Sequence, residues 1–229
     1  MKGIVLSGIK YTDNRDIVYL YTDTKGRATC IFDRRKKSRL FPLSIIEFET
    51  SGRKNAEMQY LKEFVFSPPL PEISANVRKS AVAMFIGEFL YRILKEEESS
   101  TALFGFISRS ICMLDLIEDS VSNFYLHFMV QLSKYMGFSI PANRNGYDYF
   151  DIKYSKFVFT RPLHPQFFDE SNTGILSCLL EMPADRLNEL KITGEQRMNF
   201  ANHMINFYSF RFDHTLIIKS LNVLHEIFN

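Results

Sequence analysis

Seven of the residues from 25 to 39 are basic (Lys25, Arg27, Arg34, Arg35, Lys36, Lys37 and Arg39) against one acid, Asp33. The whole chain carries only +2 at neutral pH, so this is a local concentration in a chain whose remainder is net acidic. Such density beside strand-like residues suits a polyanion, because each phosphate neutralised releases condensed counterions. The competing reading is a solvated loop that keeps a sheet edge soluble.

Other chemistries have less behind them. Ten scattered glycines form neither a GxGxxG nor a P-loop pattern. His127, His164, His203, His214 and His225 never fall at HxxxH or HExxH spacing, and His127, in an apolar helical stretch, reads as a core histidine. Cys30, Cys112 and Cys178 are far apart, which supplies neither a disulfide framework nor a four-cysteine zinc site. Cys112 with Asp115 and His127 is the best nucleophile arrangement. Only Arg109 offers Cys112 a nearby cation, so a lowered thiol pKa has little support and no enzyme is expected.

The elements that must position the basic run are strands. Residues 3–9, 17–22, 27–32, 41–50 and 58–66 are short apolar or alternating runs broken by turn residues. Thr24-Lys25-Gly26 is a hairpin signal that places Arg27 at the start of a strand. Five strands in so short a span fit a closed OB-type barrel, which removes exposed edges. Such barrels hold single-stranded nucleic acid with a cationic track and aromatic platforms, for which Tyr19, Tyr21 and Phe32 are the candidates. An alternating aromatic also serves as core, and that reading stands beside the first.

Pro68, Pro69 and Pro71 end the strand pattern. Beyond them apolar residues recur at helical spacing (Val82, Phe85, Ile86, Phe89, Leu90, Ile93, Leu94), and two further amphipathic helices follow, which together should pack as a bundle. Residues 141–168 interrupt the helices with a hairpin, read at 149–153 and 157–160. Thr193 and Gln196 stand at capping-box spacing before a later helix. The fold class expected is α+β, with a barrel over residues 1–70 and a mainly helical domain over 71–229. At 46% apolar residues the chain has material for a substantial core. Its best membrane candidate, residues 121–132, is too short and includes His127 and Gln131. With no signal-peptide profile, the expectation is a cytoplasmic, nucleoid-associated protein.

The ordered set KGIVL with residues 11–21 and GRA, the basic run through Lys37-Ser38-Arg39 into Pro42-Leu43-Ser44, FIGEFLYRIL at 85–94, and Ile218-Lys219-Ser220-Leu221 with Val223-Leu224 resembles the bacterial RecO family. The resemblance implies an OB barrel, a helical domain and no enzymatic activity. It implies binding of single- and double-stranded DNA, annealing of complementary strands, and help in loading RecA onto strands coated by single-strand-binding protein. RecR and the C-terminal tail of that binding protein are the partners implied, with RecA engaged indirectly and no membrane. Many members carry a four-cysteine zinc ribbon; residues 147–168 here have no cysteine, so no zinc and no other cofactor is expected, with Tyr149, Phe150, Phe157 and Phe159 holding the hairpin together. Arg15, Lys25, Arg27, Arg34, Arg35, Lys36, Lys37 and Arg39 are the expected phosphate contacts. The rival reading is an adaptor that recruits partners through its helices, with basic rims at Arg92, Arg109, Lys134 or Lys219 and little direct DNA binding.

Overall fold

The computed structural model describes residues 1–35, 39–52, 58–95, 99–143 and 146–228. Five strands, β1 (Lys2–Thr12), β2 (Arg15–Thr22), β3 (Gly26–Asp33), β4 (Ile45–Ser51) and β5 (Gln59–Phe66), close in the order β1-β2-β3-β5-β4. Closure comes from the antiparallel β1–β4 pairing and a short parallel contact of β3 with β5, Cys30 opposite Gln59 and Ile31 opposite Tyr60. This is the five-stranded Greek-key barrel expected from the turn spacing. Its interior is filled by Val5, Val18, Leu20, Cys30, Phe32, Ile46, Phe48 and Leu61.

The fourth strand starts at Ile45, four residues later than the apolar run at 41 suggests. Leu43 explains the delay. It takes a left-handed φ of 66°, buries its side chain completely, and donates its backbone N–H to Val5 while Val5 donates back to Ser44. The backbone is thereby turned out of strand geometry before β4 begins.

The barrel ends at Phe66, and the compact unit containing it runs on to Leu116. Helices α1 (Pro71–Ala75), α2 (Val77–Ile93) and α3 (Thr101–Leu116) complete that unit. Asn76 caps α2 by accepting from the N–H groups of Arg78 and Lys79. Gly87 lets α2 lie against β1, since a Cβ there would come within 2.7 Å of the Leu6 carbonyl oxygen. The buried Lys79 ammonium donates to the Asp115 carbonyl at 2.7 Å, and the Asp115 carboxylate accepts from the Ile73 N–H at 2.8 Å, which joins the three helices.

The second unit, 117–229, contains α4 (Val121–Tyr135), α5 (Glu170–Glu181), a 3-10 turn (Ala184–Glu189), α6 (Gly194–Arg211) and α7 (Ser220–Phe228). The three consecutive helices expected to form one bundle are thus divided: α2 and α3 stay with the barrel, while α4 packs on α5, α6 and the 3-10 turn. Asn123 on α4 donates to the Leu187 and Leu190 carbonyls, and the buried Tyr208 hydroxyl of α6 donates to that of Met129. The capping box at Thr193 and Gln196 is formed.

Between α4 and α5 lies a small sheet of β6 (Tyr149–Asp151), β7 (Lys156–Val158) and β8 (Phe167–Phe168), with β6 central. The hairpin read from the sequence accounts for β6 and β7; the third strand, β8, adds to it by pairing Phe168 with Phe150 and Phe167 with Asp151. Phe150 is fully buried between Phe157 and Phe168, with ring centroids at 4.9 and 5.7 Å. Tyr149 and Phe159 do less for that interior: Tyr149 donates its hydroxyl to Glu170, and Phe159 is exposed against Tyr147.

Candidate nucleic-acid interface

The β2–β3 register sorts the basic residues. Arg15 faces Asp33 at one end of the hairpin and Thr22 faces Gly26 at the other. Seven residue steps separate the ends, about 23 Å at strand rise. Arg15, Arg34 and Arg35 therefore stand at one end of the barrel, and Lys25 and Arg27 at the other. Arg39 is exposed where the chain leaves the basic loop. Lys36 and Lys37 lie outside the described residues.

At the first end the cations are interleaved with acids. The Arg34 N–H donates to the Asn14 carbonyl at 2.9 Å, fastening the loop to the β1–β2 turn. Its guanidinium lies 3.5 Å from Asp16. Arg35 clasps Asp33 with two guanidinium nitrogens, at 3.0 and 2.6 Å. Those hydrogen bonds hold the Asp33 carboxyl down at about 2. Arg15 makes no ion pair among the described residues; its guanidinium lies 5.4 Å from the ring centroid of Tyr60. The β3–β5 contact brings Tyr60 there, 44% exposed, and Tyr11, 54% exposed, precedes the β1–β2 turn. Neither tyrosine is among the expected platforms. The parity of β5 pointed to Tyr60, because Leu61 faces inward and its neighbour must face out.

The expected platforms resolve otherwise. Tyr21, 2% exposed, and Phe32, 5% exposed, are interior side chains and cannot stack on a base while the barrel is closed, which corrects that assignment. Tyr21 is buried because its hydroxyl accepts the Ser100 N–H at 3.2 Å and its ring meets Phe104, whereas Phe32 belongs to the barrel core. Tyr19 is half-buried, 4.8 Å from Tyr91. Burial, then a hydrogen bond with Tyr91, raises its hydroxyl pKa.

Arg27 is also engaged internally. Its guanidinium lies over the rings of Tyr91 and Tyr19 at 4.5 and 5.3 Å, and donates to the carbonyls of Tyr91 and Leu94 at 3.3 and 3.1 Å. Those carbonyls stand at the C-terminal end of α2, where Arg27 caps the helix and complements its dipole. Lys25 is exposed in the turn beside it.

The family model described as "Recombination protein O C terminal" matches residues 75–216. The chain belongs to the RecO family. It is 35% identical over 238 residues to the DNA repair protein RecO of Bacteroides fragilis, covering 99% of this chain and 98% of the relative. The RecO of Azobacteroides pseudotrichonymphae is 33% identical, covering 100% and 98% of the two chains. That of Flavobacterium johnsoniae is 30% identical at the same coverage.

The zinc ribbon of many RecO proteins has no donor set here. Within the small sheet, His164 and Asp151 approach at 3.2 Å, but no cysteine accompanies them and phenylalanine rings occupy the interior. The residues present do not fit a zinc ion. Among the described residues, no three His, Cys, Asp or Glu side chains gather as a metal ion would need. Two of the thiols are held protonated: burial pushes Cys30 up to about 11, and burial, then Asp115, raises Cys112. No described helix is long and apolar enough to cross a membrane.

Proposed function

We propose that this chain is a DNA repair protein that acts as a recombination mediator and not as an enzyme. On this reading it binds single- and double-stranded DNA, anneals complementary strands, and with RecR helps load RecA onto strands coated by single-strand-binding protein, whose C-terminal tail recruits it. A cytoplasmic setting follows from that role. The observation that carries the reading is a closed five-stranded barrel with Arg15, Arg34, Arg35 and the exposed Tyr60 gathered at one end, in a chain of the RecO family. Support for the finer roles comes from kinship with proteins named for DNA repair and from the polyelectrolyte chemistry of that end.

Phosphate contacts of this kind position a strand without reading its sequence. Two strands held on cationic surfaces repel each other less, which is how a protein with no catalytic group could speed annealing. The test is annealing of complementary oligonucleotides by the full chain and by a variant with Arg34, Arg35, Lys36 and Lys37 all changed to Glu. Loss of both binding and annealing in the folded variant is the expected result. Unchanged DNA affinity would instead favour the adaptor reading.

A further inference from the structure

We propose that the tip of the β6–β7 hairpin is a second single-strand contact, with Tyr154 stacking on a base and Lys153 and Lys156 meeting the flanking phosphates. This goes beyond the barrel site and rests on the reading of the chain as a DNA-binding protein. Tyr154 is 61% exposed, and the Lys153 and Lys156 ammonium groups lie 5.4 and 5.5 Å from its ring centroid. One aromatic face flanked by two cations is the elementary unit of a sequence-tolerant single-strand site.

The tip is held in place. The Tyr154 N–H donates to Asp151 at 3.1 Å, and the other oxygen of that carboxylate lies 3.2 Å from His164. Ser155 takes a left-handed φ of 50°, which turns the chain between the two lysines. Arg211, from α6, donates to the Ile152 carbonyl at 2.7 Å and to the Ser155 hydroxyl. The tip's own acid, Asp151, is 5% exposed and its oxygens are taken up by the Tyr154 N–H and His164, and among the described residues neither exposed lysine makes an ion pair. A second exposed ring, Phe159 at 62%, follows β7, about 10 Å along the strand from the tip. Two residues beyond it stands Arg161, whose guanidinium lies 5.4 Å from the Phe167 ring centroid. Alternating rings and cations match a polymer that alternates bases and phosphates. An acidic peptide would use the lysines and leave the tyrosine face bare.

The test compares the full chain with two variants, a tip variant (Lys153→Ala, Tyr154→Ala and Lys156→Ala together) and the four-residue barrel reversal. Native mass spectrometry counts short oligo-dT strands per chain, and 5-iodouracil oligonucleotides cross-link the residues they touch. The wild type should take two strands and cross-link at Tyr154 as well as at the barrel. The tip variant should take one strand and bind the second about tenfold more weakly, as expected for losing one stacked base. Tyr154→Trp should retain binding. Two strands on the tip variant, or no cross-link at Tyr154, would overturn the proposal. So would an acidic peptide that binds the wild type and is lost from the tip variant while DNA binding is unchanged. Loss of binding in the tip variant alone, with the barrel variant unaffected, would sink the barrel reading and leave this one standing.

Discussion

The barrel's cationic end and the hairpin tip use basic residues in opposite ways. At the barrel, Arg34 and Arg35 are matched at the surface by Asp16 and Asp33, so part of the charge concentrated in the sequence already has an acid partner. At the tip the nearby acid is buried and turned away, and two lysines stand over an exposed ring. The lesson is that available charge, not counted charge, decides where a polyanion can settle. Seven cations in one run supply less free charge than their number suggests, while the two tip lysines make no ion pair among the described residues.

Reversing Arg34, Arg35, Lys36 and Lys37 together should weaken single-strand binding by about a thousandfold at low salt, the largest effect expected. Anisotropy with oligo-dT measures it, and a loss as large in the tip variant would erase the ranking of the two regions. The second effect separates the units by pH. Burial in the packing around α4 depresses the His127 pKa to about 4, against a smaller upward pull from its hydrogen bond to the Met182 backbone. A histidine depressed on folding stabilises fully above its unfolded pKa near 6.5, and the contribution fades as pH falls toward 4. Denaturant titrations should show about 3 kcal/mol lost over that window, and His127→Gln should flatten the curve.

Gly87→Val should cost the barrel unit about 2 kcal/mol, because the added carbons meet the Leu6 carbonyl and Pro42. Hydrogen exchange should show the loss in residues 1–116 and leave 117–229 protected. The smallest effect sharpens the charge comparison. Asp33→Asn should release Arg35, strengthen single-strand binding about threefold and steepen its salt dependence by about one phosphate contact. Mild acid should not mimic that change, since Asp33 stays ionised down to about pH 2.

Much of this was legible in the sequence. Strand alternation and turn residues announced the five-stranded barrel, and Thr193 with Gln196 announced a helix start. The core reading of the alternating aromatics holds for Tyr21 and Phe32, but alternation alone does not say what covers each ring. Tyr21 alternates as an outward residue would, but α3 and the chain entering it cover that face, so its hydroxyl meets Ser100. Pairing was equally hidden. Arg27 looks like one more phosphate ligand until the chain folds back and brings the Tyr91 and Leu94 carbonyls to it. Asp16 lies far from Arg34 in sequence and reaches it only through the hairpin register. Local patterns encode strands and caps, whereas partners across the fold depend on register and on which face a helix covers.

The most direct measurement is the salt dependence of single-strand affinity for the full chain. With about five phosphates neutralised, log affinity should fall against log salt with a slope of about −3.5, and the four-residue reversal should flatten it toward that of a single contact. A slope near zero in the wild type, or one unchanged by the reversal in a folded protein, would contradict the account.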